Sequence, residues 1–271
     1  MTGIKRYLFL GFLCLYCYDA AAVSLISWNI KDFGGTKSDE EIVMIARVVA
    51  EYDIVAIQEV VAKDPAGAKA VARLADQLNR MGSKWDYRVS DPTNSPSAYI
   101  SERYAFLWKT SKVVMQGRPR LMGELAKLCD REPYYARFVE DDTQYDVINF
   151  HSRPHNKNPQ SEVEAISRLV LSNQNNYNWI VAGDFNMSEE DDVWGLLYTQ
   201  SYRSSLMNQK TTLKTKCAQG EYLNYPIDNI YFNKKINVIN STGVVDIVGR
   251  CDNIERAREI SDHLPVYLNL N

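Results

Sequence analysis

The chain holds only three histidines, His151, His155 and His263, and two of them stand beside carboxylates or amides where an apolar run gives way to polar residues. A histidine titrates near pH 6.5, so a pair can present one neutral base and one charged acid at neutral pH. His155 sits among Arg153, Pro154, Asn156 and Lys157 and reads as a loop residue held by hydrogen bonds. Around the other two the inventory is rich in oxygen. Glu59, Asp184 and Asp262, with the amides of Asn29 and Asn186, are donors that Mg²⁺, Mn²⁺ or Ca²⁺ accept. No HExxH motif, no Cys/His zinc spacing and no Gly-rich phosphate loop occurs, which removes zinc proteases, zinc fingers and P-loop enzymes. Taken singly, each carboxylate reads as a turn or cap residue. What joins them is where they fall along the chain.

Short apolar runs rich in β-branched and aromatic residues predict strands at Val23 to Ile30, Ile54 to Gln58, Tyr104 to Trp108, Tyr145 to Phe150, Trp179 to Ala182, Ile227 to Phe232 and Pro265 to Leu270. Several end abruptly in polar residues: Ser27-Trp28-Asn29, Gln58-Glu59, Asn149-Phe150-His151 and Gly183-Asp184-Phe185-Asn186. Ligand sites of α/β folds lie at such strand ends. A buried carboxylate or histidine is costly unless paired, hydrogen-bonded or bound to metal, so several together imply one shared site. Between the strands, Asp39 to Glu51 reads as a helix, with Ser38 and Glu41 forming a capping box. Ala66 to Met81 and Gln160 to Leu171 repeat the amphipathic pattern, and Glu189 to Tyr198 starts acid-rich after Ser188. Strands alternating with helices give an α/β layered fold.

In order, Trp28-Asn29-Ile30, Gln58-Glu59, Ser101-Glu102-Arg103-Tyr104, Asn149-Phe150-His151, Gly183-Asp184-Phe185-Asn186, Ile227-Asp228 and Ser261-Asp262-His263-Leu264-Pro265-Val266 resemble the motif series of the endonuclease/exonuclease/phosphatase superfamily. Glu102-Arg103-Tyr104, Arg131-Glu132-Pro133 before Arg137-Phe138, and His151 make the chain similar to the deoxyribonuclease I branch. Abasic-site repair members carry a tyrosine in place of His151, whereas bacterial sphingomyelinases share the histidine.

The resemblance implies a four-layer α/β/β/α sandwich of two mixed β-sheets, with the site at one edge. It implies catalytic pairs Glu102–His151 and Asp228–His263, the acid and base roles left open, and Asp184 with Asn186 orienting water or phosphate. Glu59 and Asp262 would hold the metal, Asn29 nearby and Asp184 sharing an ion, and Arg137 would touch a substrate phosphate. The implied activity is metal-dependent hydrolysis of DNA, duplex or single-stranded, with Mg²⁺ or Mn²⁺ and Ca²⁺ as a further candidate. The alternatives are RNA and phospholipid headgroups. Val61 and Ile100 stand where the vertebrate enzyme has an arginine and a tyrosine that meet the minor groove, which weakens the case for duplex preference.

Lys5 and Arg6 precede an uncharged run from Tyr7 to Tyr18, with Ala20-Ala21-Ala22 following, so positions 1–22 read as an export signal. The run is short of the roughly 20 residues that span a bilayer. The expected product is one domain, 23–271, secreted or periplasmic, monomeric and not stably bound to membrane. In an oxidising compartment Cys217 and Cys251 are the expected disulfide, leaving Cys129. Without the signal's two cations and one anion, the formal net charge moves from −3 to −4, which argues against tight coating of nucleic acid and fits weak, transient contact.

Overall fold

The computed structural model describes residues 23–236 and 238–270; the export signal expected at 1–22 lies outside them. In chain order the elements are β1 (Val23–Phe33), α1 (Asp39–Val49), β2 (Ile54–Val61), α2 (Ala66–Arg80), β3 (Trp85–Val89), β4 (Glu102–Lys109), β5 (Val114–Leu121), β6 (Tyr134–Glu140) and β7 (Thr143–His151). There follow α3 (Gln160–Ser172), β8 (Trp179–Asp184), α4 (Gly195–Tyr198), β9 (Tyr202–Ser204), β10 (Leu213–Ala218), β11 (Glu221–Leu223), β12 (Asp228–Asn233), β13 (Val238–Val244), α5 (Ile254–Ile260) and β14 (Val266–Leu270).

Two six-stranded sheets form, in the orders β13-β14-β1-β2-β4-β3 and β5-β6-β7-β8-β12-β9. Both are mixed: β1 and β2 are parallel, as are β7 and β8, while their other pairings are antiparallel. The period-2 alternation of strand side chains explains the layering. Leu25, Ala56, Phe106, Val147, Ala182, Ile230 and Leu268 turn inward into a core shared by the two sheets. Their neighbours Ile26, Val55 and Leu107 turn outward onto Ile45 of α1 and Leu74 of α2, and Ile148 and Val181 turn onto Val163 and Ile166 of α3. The result is the expected four-layer sandwich. Among the described residues no helix is long and apolar enough to cross a membrane.

The capping box at α1 forms as expected, Ser38 accepting from the Glu41 amide and Glu41 from the Ser38 amide. The helix expected over Glu189 to Tyr198 is shortened to α4. The Ser188 amide donates to Asp191 Oδ2, the Glu190 amide donates to Ser188 Oγ, and Glu189 accepts from the Asn208 amide. These local side-chain bonds offer the backbone an alternative to the helix. Cys217 and Cys251 are disulfide-bonded, tying β10 to the turn before α5, and Cys129 is unpaired and buried.

One glycine fixes the spacing of the strands that carry the site. Gly183 has φ +152° and lies against β7 so closely that a Cβ would stand 1.8 Å from the Phe150 carbonyl oxygen. That contact is with backbone of a paired strand, which cannot retreat without breaking the β7–β8 ladder. Gly183→Ala is therefore expected to destabilise the fold by about 2–4 kcal/mol, the range of strongly overpacked cores, measured as a lowered urea midpoint with unchanged slope.

Candidate active site

The inter-sheet face is apolar along most of its length and becomes polar at one end. Ser27 and Asn29 of β1, Gln58 of β2, Glu102 of β4, Asn149 and His151 of β7, Asp184 of β8 and Asp228 of β12 are all buried there. Parallel strands contribute their C-terminal ends and the antiparallel β4 and β12 their N-terminal ends, so the polar residues meet at one edge. Beneath them Gln58 Nε2 donates to Asn149 Oδ1 at 2.6 Å, bridging the sheets. Asn149 Nδ2 in turn donates to the carbonyls of Ile57 and Ala105.

Asp184 is the centre. Its Oδ2 accepts from Asn29 Nδ2 at 3.1 Å, and its Oδ1 accepts from the Asn186 amide at 2.9 Å. The Nε2 atoms of His151 and His263 approach Oδ2 from two sides, at 3.5 Å and 3.7 Å. Each histidine is backed through Nδ1 by its expected carboxylate: Glu102 at 2.9 Å for His151 and Asp228 at 2.9 Å for His263. Thr211 Oγ1 also donates to Asp228, at 2.7 Å. Asn29 Nδ2 makes a second bond to Glu59 Oε1 at 3.1 Å, which brings Glu59 to the same cluster.

Register shifts aim these side chains. The β1–β2 pairing slips between Asn29 and Phe33, the β2–β4 pairing between Ile57 and Val60, and Glu59 itself has φ +58°. Asp32 and Asn186 are also left-handed, at +49° and +50°. A bulge re-aims one side chain without moving the strand, and non-glycine residues in this conformation cluster where function holds them.

One expected residue lies elsewhere. Arg137 stands opposite Asp146 in the β6–β7 register, five residues before His151, or about 17 Å along the strand. Its Nε donates to Asp146 Oδ1 at 2.7 Å and its guanidinium stacks on Tyr177, so it faces the outer side of the sheet. The carboxylate of Asp262 is partly exposed and 3.5 Å from Arg258, one turn back in the chain, and its charge acts on the neighbouring His263 ring. The arginine at the site is Arg131, buried, 3.7 Å from Glu102 and donating to the carbonyls of His151 and Ser152. Its signal was the Arg-Glu-Pro run just before a strand. Beside it, Glu59, Glu102 and His151 open into a cleft of about 360 Å³, also lined by Val61, Tyr99 and Ile100.

Burial sets the charge states. It lowers His151 to about 4, assisted by the nearby Arg131 charge, so the ring is neutral at physiological pH. It raises Glu102 to about 7 against the pull of Arg131. It also raises Asp184. For His263 burial works downward, but Asp228 and Asp184 outweigh it and lift the ring to about 10. The sign for stability follows: the contribution of a charged His263 is complete below its unfolded value near 6.5 and is lost as pH rises through about 10. Asp228→Asn removes the leading upward cause, so in metal-free protein the His263 ring is expected to deprotonate at least one pH unit lower, read by NMR titration of its ring nitrogens.

Residues 26–263 match the model of the Endonuclease/Exonuclease/phosphatase family. A deoxyribonuclease of Thioalkalivibrio sp. (strain K90mix) is 27% identical over 277 residues, covering 92% of this chain and 71% of that protein. Deoxyribonuclease-1 of Bos taurus is 29% identical over 179 residues, 61% of each chain. Among solved structures, an endonuclease/exonuclease/phosphatase family protein from Leptotrichia buccalis C-1013-b superimposes with a TM-score of 0.66 at 16% identity, covering 92% of this chain and 100% of that one. With its buried two-histidine site and these relatives, the chain belongs to the endonuclease/exonuclease/phosphatase family, in the deoxyribonuclease I branch.

Proposed function

We propose that this chain is an exported, divalent-metal-dependent endonuclease that hydrolyses DNA phosphodiester bonds, with His151 as general base and His263 as general acid. The observation that carries the reading is the placement of both Nε2 atoms beside Asp184 Oδ2, each ring oriented by its own carboxylate. The deoxyribonucleases among the relatives supply the substrate. The disulfide Cys217–Cys251 and the signal-like residues 1–22 support export.

Hydrolysis of a phosphodiester needs an attacking water deprotonated, a leaving oxygen protonated and the charge on the non-bridging oxygens stabilised. His151 donates through Nδ1 to Glu102, which leaves the Nε2 lone pair facing the site as the base. His263, charged and held by Asp228, presents Nε2–H as the acid. Asn186, anchored by its amide to Asp184 and by Nδ2 to the Ser152 carbonyl, is placed to hold the phosphate or the water.

The donor set fits a hard cation. Asn29 Oδ1 is buried without a partner while its Nδ2 is committed to Glu59 and Asp184, so an acceptor-only cluster of oxygens converges there. Glu59, Asp184 and Asn29 would hold Mg²⁺ or Mn²⁺, and Ca²⁺ accepts the same oxygens. Asp228, close to Asp184 and His263, is already engaged by His263 and Thr211. A bound cation supplies positive charge for the non-bridging oxygens.

Supercoiled plasmid is expected to be nicked in Mg²⁺ and left intact in EDTA, with His151→Ala and His263→Ala each losing about 10²–10⁴-fold in rate. Nicking that persists in EDTA, or survives both substitutions, overturns this reading; a folded protein inert on DNA redirects the search to RNA and phospholipid headgroups.

A further inference from the structure

Away from the catalytic cleft, the unpaired edges of the two sheets lie side by side. β3 closes one sheet and β5 the other, and between them runs a groove of about 700 Å³. Arg88 and Asp91 line one wall, Arg118 and Arg120 the other, and Tyr134 of β6 lies between. Three arginines and Asp91 line it, and since Arg88 and Arg120 pair with Asp86 and Glu124 beside it, Arg118 is the cation left over.

The backbone presents these cations deliberately. The β5–β6 pairing slips between Gln116 and Arg120, and Gly117 there has φ +77°, a bulge that turns Arg118 out of the ladder. Arg118 has no hydrogen bond or ion pair among the described residues. Arg88 pairs with Asp86 at 3.3 Å, donates to the Tyr87 carbonyl and lies over Trp108, while Arg120 forms a bidentate pair with Glu124 and lies over the Tyr135 ring. The exposed Arg88–Asp86 pair yields to a better anion at little cost.

Two segments run from the groove to the catalytic cleft. The loop from Asp91 to Ser101 begins in the groove and ends in the cleft, and Arg131-Glu132-Pro133-Tyr134 runs the same way on the facing side. The Asn94 amide donates to both carboxylate oxygens of Glu132, which clamps the two segments together. Arg131 and Tyr134 are three residues apart, at most about 11 Å. On one strand of a duplex the phosphates rise about 3.4 Å per nucleotide along the helix axis, so the groove opens at most about three nucleotides from Arg131.

We infer that this inter-sheet groove binds the sugar–phosphate backbone of the DNA strand beyond the cleavage point, with Arg88 and Arg118 on its phosphates. The inference rests on the DNA reading proposed above and assigns the surface that holds the strand while the cleft cuts it. The ligand is the charged backbone rather than base edges, since guanidinium groups on an open groove recognise phosphate without reading sequence.

The test compares the full chain with its Arg88→Ala/Arg118→Ala variant. Binding of a fluorescent DNA strand is followed in EDTA as NaCl rises, and kcat/KM in Mg²⁺ is followed on plasmid and on progressively shorter oligonucleotides. The variant is expected to show a shallower salt dependence, by roughly 1.5–2 in the log–log slope for two lost phosphate contacts. It is also expected to show a KM on plasmid raised several-fold with kcat retained, the deficit shrinking as the oligonucleotide shortens. An unchanged slope and KM overturn the inference and leave the arginines as guards that keep the sheet edges from pairing. A deficit equal at every length overturns it too. If the chain binds DNA through these arginines and does not cut it, the groove stands and the proposed reaction fails; if it cuts and the arginines do not matter, the reverse holds.

Discussion

Asp184 imposes the central constraint. Its carboxylate is 1% exposed, at the polar margin of a core shared by two sheets, and an ion in that position costs several kcal/mol unless its oxygens are fully engaged. The Asn186 amide, Asn29 Nδ2 and the charged His263 ring do this. Each partner is itself buried and needs support in turn. His263 is held by Asp228, and Asp228 by Thr211; His151 is held by Glu102, and Glu102 by Arg131 and the Glu59 amide. The requirement spreads until it has recruited strands from both sheets. The catalytic arrangement is thus the solution to a burial problem as well as to a chemical one.

That solution depends on the apolar sandwich behind it. Asp32, Glu59 and Asn186 all sit in left-handed backbone, at about 1–3 kcal/mol each. The inward row from Leu25 to Leu270, with Phe106 packed at 5.6 Å on Phe138 and 5.4 Å on Tyr134, supplies the rigidity that tolerates them. Gln58 and Asn149 mark the transition between the two regimes. They are polar enough to meet the site and hydrogen-bonded to each other across the sheets, so the layer directly under the catalytic groups has little room to shift.

Most of this layout was legible in the sequence, because a buried strand that ends in polar residues is a strong local signal. The strands carrying Asn29, Glu59, His151, Asp184 and Asp228 and the α1 capping box were readable from periodicity and end chemistry. The division of strands between two sheets came from the family resemblance, since a period of two cannot name a partner. The edge strands β3 and β5 were missed because their exposed, mixed faces lack the apolar run of a buried strand. Arg137 and Arg131 were confused for a related reason. Both precede or open the same strand in sequence, but β6 runs away from the site, so six residues separate a catalytic-edge arginine from one bonded to Asp146 on the opposite side. The shortened α4 shows local hydrogen bonding by Ser188 and Asp191 overriding an acid-rich helix start.

The same electrostatics fit the cation site proposed above. Glu59, Glu102, Asp184 and Asp228 gather around His263 and Arg131, with His151 neutral. With the carboxylates ionised, the cluster carries four negative charges against two positive ones. Glu102 is raised to about 7 and Asp184 is raised as well, both first by burial, so both hold a proton more readily than a solvated carboxylate. A divalent cation at Asn29, Glu59 and Asp184 would replace those protons with the two charges the cluster lacks, and would release Glu102 to orient His151 as a base. Metal loading and readiness of the base are then one electrostatic event. An acidic protein could in this way act on a polyanion, its own carboxylates holding the cation that would meet the phosphate.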